Sequence, residues 1–145
     1  MSTVFRFILL FFIISPNLWA DTISSPWYTQ TADKKTVLNV ALFLSSTCGH
    51  CHKADEFFQK IEPTHPWLHV TRYTIDKDKK ALTQFNQFLM EQHMSDFAVP
   101  SVFFCNSRWV GFATAETTGK NLLDALNYCK QQIEKKSELA TATVE

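Results

Sequence analysis

Glycine is scarce in this 145-residue chain, with 3 in all. Gly-rich phosphate loops such as G-x-G-x-x-G or G-x-x-x-x-G-K cannot be written from it. An excess of one charge sign is also missing, because 14 Lys and Arg balance 14 Asp and Glu. That balance gives no basic field of the kind a nucleic-acid binder relies on. Past residue 20 no apolar run approaches the about 20 residues that span a bilayer as a helix, so the mature chain is expected not to insert stably in a membrane. What is present suits one globular domain. The chain is 46% apolar and 19% charged, which argues against disorder or a collagen-like fibre. Four Cys and 5 His keep redox and metal chemistry open.

Residues 1–20 read as an address rather than part of the fold. Arg6 is followed by an unbroken apolar run from Phe7 to Ile14, then by Ser15 and Pro16, and Ala20 is the expected last residue removed. A charged start, a short apolar core and a small residue at the end form the pattern of a secretory signal. Cysteines of an exported protein meet an oxidising compartment. The chain ends in Thr-Val-Glu rather than a KDEL-type signal, which favours a bacterial periplasm over the lumen of the endoplasmic reticulum.

Residues 21–35 form a polar lead-in with Pro26, Trp27 and Tyr28. Thr36 to Leu44 is a nearly continuous apolar run of strand length, which suits a strand covered on both faces. Ser45, Ser46 and Thr47 supply turn and helix-cap residues. From Gly49 to Ile61, Ala54, Phe57, Phe58 and Ile61 mark one helical face, and Pro63 and Pro66 end that helix. Leu68 to Ile75 alternates as a second strand. Asp76 or Asp78 can cap a helix from Lys79 to His93, with Leu82, Phe85, Phe88 and Leu89 inward. Ser101–Cys105 and Arg108–Phe112 predict two short strands, with Asn106-Ser107 as a two-residue hairpin loop. A last helix is expected from Gly119 to Lys135, carrying Leu122, Leu126, Cys129 and Ile133 on one stripe. Residues 137–145 read as a flexible tail. The order β-α-β-α-β-β-α predicts an α/β fold over residues 36–136, in which a central mixed four-stranded sheet has helices on both faces.

The chemistry-bearing residues fall where the first strand meets the first helix. Cys48-Gly49-His50-Cys51 places two Cys on the first helical turn, where they can close a small disulfide ring. A thiol at a helix N-terminus feels the partial positive charge of unpaired N–H groups. That favours thiolate and can lower a Cys pKa from about 8.5 into the range of about 3.5–7.5. His50 adds a group that is positive when protonated. A stabilised reduced form makes the disulfide a better oxidant. Cys48 is the expected attacking sulfur, Cys51 the resolving one, and Gly49 keeps the approach to Cys48 open. Val99-Pro100 precedes the third strand, and a cis peptide there would turn the chain sharply and present the Val99 backbone to the helix N-terminus, where it could pair with an extended substrate segment.

With these residues in view the chain resembles the thioredoxin superfamily. The resemblance rests on CGHC after an apolar strand, Val99-Pro100 before a hairpin, and a final helix. It covers residues 36–136. CGHC is the variant typical of protein disulfide isomerase domains. Thr47-Cys48 and a valine before the proline are more like the bacterial periplasmic Dsb group. The resemblance implies thiol–disulfide exchange on protein cysteines, with Cys48 as nucleophile, Cys51 as resolver and Pro100 in cis. It implies a redox partner protein and no metal or organic cofactor. Two departures stand out. Leu42 occupies the place where many members carry a buried acid, and the chain lacks the extra N-terminal strand and helix of thioredoxin itself. It reads as a minimal, monomeric fold.

Rival readings start from the same residues. Cys48-Gly49-His50-Cys51-His52 also spells C-x-x-C-H, a c-type haem attachment site with His52 as axial ligand and Met90 or Met94 opposite. The flanking strands speak against it, because small c-type cytochromes are helical. Cys105 and Cys129 lack a second C-x-x-C spacing, which disfavours zinc. A purely structural Cys48–Cys51 ring would restrain little of the unfolded chain. A redox-inactive binding module using Val99-Pro100 is the remaining alternative. Cys105 and Cys129 are either a structural disulfide or two buried thiols.

Overall fold

The computed structural model of the protein describes residues 23–24, 27–31, 33 and 35–142. The export signal expected over residues 1–20 and the Ala20 cleavage point lie outside the described residues. In chain order the elements are β1 (Ile23–Ser24), β2 (Tyr28–Gln30), β3 (Thr36–Leu44), α1 (Gly49–Ile61), β4 (Leu68–Thr74), α2 (Lys79–Glu91), β5 (Ser101–Phe104), β6 (Ser107–Val110) and α3 (Lys120–Ala142). A 3₁₀ turn at Glu62–Thr64 follows α1, and a π turn at Ala115–Gly119 leads into α3.

The apolar run of β3 makes it the hub of one six-stranded sheet. Along one edge it pairs in parallel with β4, from Leu38↔Leu68 to Leu44↔Thr74. Its other edge carries β2 at the start, with Tyr28 opposite Leu38, and antiparallel β5 near the end, with Ala41 opposite Phe103. β6 extends β5 and β1 extends β2, both antiparallel. Side chains alternate across a strand, so β3 serves two cores. Leu38, Val40, Leu42 and Leu44 pack with Ala54, Phe57 and Phe58 of α1 and Leu122 and Leu126 of α3. Ala41 and Phe43 pack with Phe85 and Leu89 of α2 and with Phe103. Phe43 lies 4.7 Å from the Tyr73 ring and 4.9 Å from the Phe85 ring. Burying a side chain of this size is worth roughly 1.5–3 kcal/mol. Helices therefore cover both faces of a mixed α/β fold.

α1 is fastened to β4 by Arg72, whose guanidinium meets Asp55 and Glu62 at 2.6 Å each. The Glu62 hydrogen bond is the main reason its pKa rises above the ordinary value. Gly119 allows the π turn to approach α1, since a Cβ there would lie 2.7 Å from the Phe57 ring.

Several boundaries differ from the sequence expectation. The sheet has six strands rather than four, because the lead-in supplies β1 and β2. Buried Gln30 donates from Nε2 to Thr36 Oγ1 at 3.2 Å, and Tyr28 packs against the larger core. The hairpin loop is Cys105-Asn106 rather than Asn106-Ser107, with φ of 50° and 56°. Positive φ at both positions is what a two-residue loop of type I′ requires. β6 accordingly ends at Val110. Asp78 caps α2 by accepting from Lys80 N at 2.8 Å, whereas Asp76 serves a different turn. Leu82 is exposed, and Ala81 takes the inward position. The expected tail from 137 continues α3 to Ala142, and 143–145 lie outside the described residues.

Candidate active site

The site forms at the C-terminal end of β3. The chain leaves the sheet through Ser45–Thr47 and enters α1 at Cys48, which is the N-cap residue itself. Its Sγ accepts from Cys51 N at 3.1 Å. The cap that Ser45, Ser46 or Thr47 was expected to supply is thus a sulfur. The preceding turn is held from outside. Ser46 donates from both its backbone N, at 2.8 Å, and its hydroxyl to the carboxylate of Asp76. These bonds, the Ser46 hydroxyl first, lower the Asp76 pKa below 3.8. His52 donates from Nε2 to Ser46 O at 3.1 Å.

Cys48 and Cys51 are joined in a disulfide with their Cα atoms 5.2 Å apart. Cys51 is buried in the larger core, and Ser45 N lies 3.5 Å from its sulfur. Cys48 is half-buried and Gly49 exposed, with nothing within 4 Å of where a Gly49 Cβ would stand. The two sulfurs are therefore unequal, the first open to approach and the second shielded. Leu42 is fully buried in the same core as Cys51.

The Val99–Pro100 peptide is cis. Val99 O lies 3.9 Å from Cys48 Sγ, so residues 51 apart in sequence meet at the sulfur. Pro100 O accepts from Gly111 N at 2.9 Å, which ties this segment to the end of β6. His50 donates from Nδ1 to Phe112 O at 2.8 Å, since a carbonyl can only accept. A groove of about 420 Å³ runs along this side of Cys48, lined by His50, Val99, Pro100, Trp109, Phe112 and Thr118. Of the predicted site residues, Cys51 and the Val99 carbonyl meet the Cys48 sulfur, His50, Val99 and Pro100 line the adjoining groove, and Gly49 is exposed beside Cys48.

Cys105 and Cys129 are not part of this site. They form a second disulfide from the β5–β6 turn to α3, with Cα atoms 6.5 Å apart. Both Cα separations fall inside the range that a disulfide can bridge. Among the described residues, no group of three or more His, Cys, Asp or Glu side chains is arranged to hold a metal ion, and no helix is long and apolar enough to cross a membrane.

Two groups beside the site escaped the sequence reading. Asp76 read only as a possible helix cap. Arg108 lies on β6 opposite Phe103, and its side chain is 2% exposed. Its place in an alternating strand, in register with an inward phenylalanine, was the available signal. The chain matches no protein-family model, and no curated protein is similar to it in sequence.

Proposed function

We infer that the protein is a thioredoxin-like thiol–disulfide oxidoreductase that acts on protein cysteines in an exported, oxidising compartment. The observation that carries this reading is the Cys48–Cys51 disulfide at the start of α1, with Val99 O 3.9 Å from the Cys48 sulfur. The strand order β4-β3-β5-β6, with one parallel pair, supports it. A small ring whose outer sulfur is open and whose inner sulfur is shielded suits exchange better than stapling.

A substrate thiolate attacks Cys48 Sγ, breaks the Cys48–Cys51 bond and forms a mixed disulfide, and the electron pair leaves on Cys51. A second substrate thiolate attacks the substrate sulfur of that bond and releases Cys48. The substrate loses two electrons and two thiol protons, and Cys48 and Cys51 receive them. Run backward, the same steps reduce a disulfide. A disulfide-bearing redox partner restores the starting state. The unpaired N–H groups of α1 and the adjacent His50 stabilise the Cys48 thiolate, which biases the pair toward oxidising its partners. The substrate backbone pairs with Val99 along the groove. No cofactor is needed for these steps.

The haem reading is less well supported. Cys48 and Cys51 bond to each other, His52 Nε2 is engaged by Ser46 O, and Met94 packs in the core on the α2 face.

Equilibration of Cys48/Cys51 with a glutathione buffer tests the proposal. The expected potential lies in the oxidising half of the interval between about −270 mV and about −120 mV. A value near the reducing end would remove the role given to His50 and the helix terminus. Failure to exchange with any thiol would remove the reaction itself.

A further inference from the structure

Arg108 touches neither cysteine and is not among the residues lining the groove, but it is closely engaged on the α2 face of the sheet. Its guanidinium lies 5.7 Å from the Phe85 ring centre and 5.6 Å from that of Phe103. Nε donates to Ser101 Oγ at 3.0 Å, Nη1 to Asp96 Oδ1 at 2.7 Å and Nη2 to Ala98 O at 3.1 Å. Nη1 also lies 3.7 Å from Met94 Sδ. Ser101 Oγ in turn donates to Ala98 O at 2.6 Å.

These partners sit at 94, 96 and 98 on one side of Val99-Pro100 and at 101 on the other. A buried guanidinium left without partners is strongly unfavourable, so the segment cannot shift without exposing or orphaning that charge. The planar fork fixes three separate acceptors at once, which the point charge of a lysine does not reproduce.

We propose that Arg108 is a positioning residue, which holds the Val99 backbone at the distance from Cys48 that an extended protein substrate needs. The inference rests on the exchange reaction proposed above. It assigns Arg108 to the recognition of extended chains and not to the reactivity of the sulfur. A small thiol has no backbone to pair and does not require the clamp.

The test compares wild type with Arg108→Lys and Asp96→Ala. The Asp96 side chain is 63% exposed, so its removal spares the core and keeps the test open if Arg108→Lys fails to fold. Each protein oxidises reduced, unfolded ribonuclease with oxidised glutathione as terminal oxidant, and each is also reacted with reduced glutathione alone. Arg108→Lys is expected to raise KM for ribonuclease about tenfold, with kcat and the glutathione rate within about twofold of wild type. Asp96→Ala should shift KM the same way by about threefold. An unchanged KM, or a glutathione rate that falls in parallel, overturns the assignment. If wild type exchanges with neither thiol, the reaction has failed, and amide hydrogen exchange decides the clamp separately. Amides between Ser95 and Ser101 should exchange about tenfold faster in Asp96→Ala while those of β3 do not change. Equal protection in both proteins overturns the clamp.

Discussion

Cys48–Cys51 joins residues 3 apart at the start of a helix, beside an open groove, whereas Cys105–Cys129 joins residues 24 apart, from a hairpin turn to the middle of α3. Both have Cα separations that a disulfide tolerates. Their physical consequences differ because a cross-link acts mainly on the unfolded chain, and more so for a longer loop. The short ring removes little freedom from the unfolded state and leaves one sulfur approachable. The long one closes β6, the π turn and the first half of α3 into a loop, which carries the groove residues Trp109, Phe112 and Thr118, while neither of its own sulfurs lines the groove. On the proposed reading, the same bond type serves reactivity at one end of β5 and restraint at the other.

Breaking each bond separately should divide these roles, and the largest effect belongs to the short ring. Cys48→Ser is expected to reduce exchange with protein thiols by more than about a thousandfold, since the Cys51 sulfur left behind is buried. Its melting temperature should stay within about 3 °C of wild type. Exchange assays beside thermal denaturation check both halves. Exchange that survives in Cys48→Ser would move the reaction away from this site.

Removing the long ring reverses the pattern. The double variant Cys105→Ala/Cys129→Ala is expected to lose about 3.5 kcal/mol of stability, the amount associated with a loop of this length. Urea unfolding measures that loss. The redox equilibrium of Cys48/Cys51 should not change. If the variant kept its stability but lost exchange, the second disulfide would belong to the reaction and the contrast would fail.

What the sequence made legible follows from the range of the interactions involved. β3 and α1 are fixed by patterns spanning nine and thirteen residues, so their type and the position of Cys48 between them could be read directly. Val99-Pro100 was legible as a motif, although its approach to a sulfur 51 residues earlier is a product of the sheet. β1 and β2 have two and three residues, too few to display a period, and depend on pairing, β2 with β3 and β1 with β2. The end of α3 has no continuous apolar stripe, and its Lys, Glu and Ala residues are helix formers that also occur in polar tails. The hairpin loop was read one residue late because a cysteine at positive φ is an uncommon choice. Arg108 was hidden by its charge, since an arginine on a short edge strand ordinarily faces water. The Asp96 carboxylate, the Ser101 hydroxyl, the Ala98 carbonyl and two phenylalanine rings assembled around it make an inward position tolerable.

The smallest expected effect concerns the turn that delivers the short ring, which is held without covalent help. Ser46 gives two hydrogen bonds to Asp76, and the pKa of that carboxyl is lowered chiefly by the Ser46 hydroxyl and then by the Ser46 backbone N–H. A carboxylate whose pKa is depressed on folding stabilises the folded state when ionised. Its contribution is complete above the ordinary value of 3.8 and disappears as the pH falls through the lower folded value. Asp76 is exposed, so the contribution is small and weakened by solvent. Asp76→Asn should therefore be slightly less stable than wild type above about pH 4, with the two urea midpoints converging as the pH is taken toward about 2. Parallel curves over that interval would show that the Asp76 charge contributes nothing to the turn. The entry into Cys48 would then be set by β3 and α1 alone, elements that the long ring, joining the β5–β6 turn to α3 in the same core, does not cross-link.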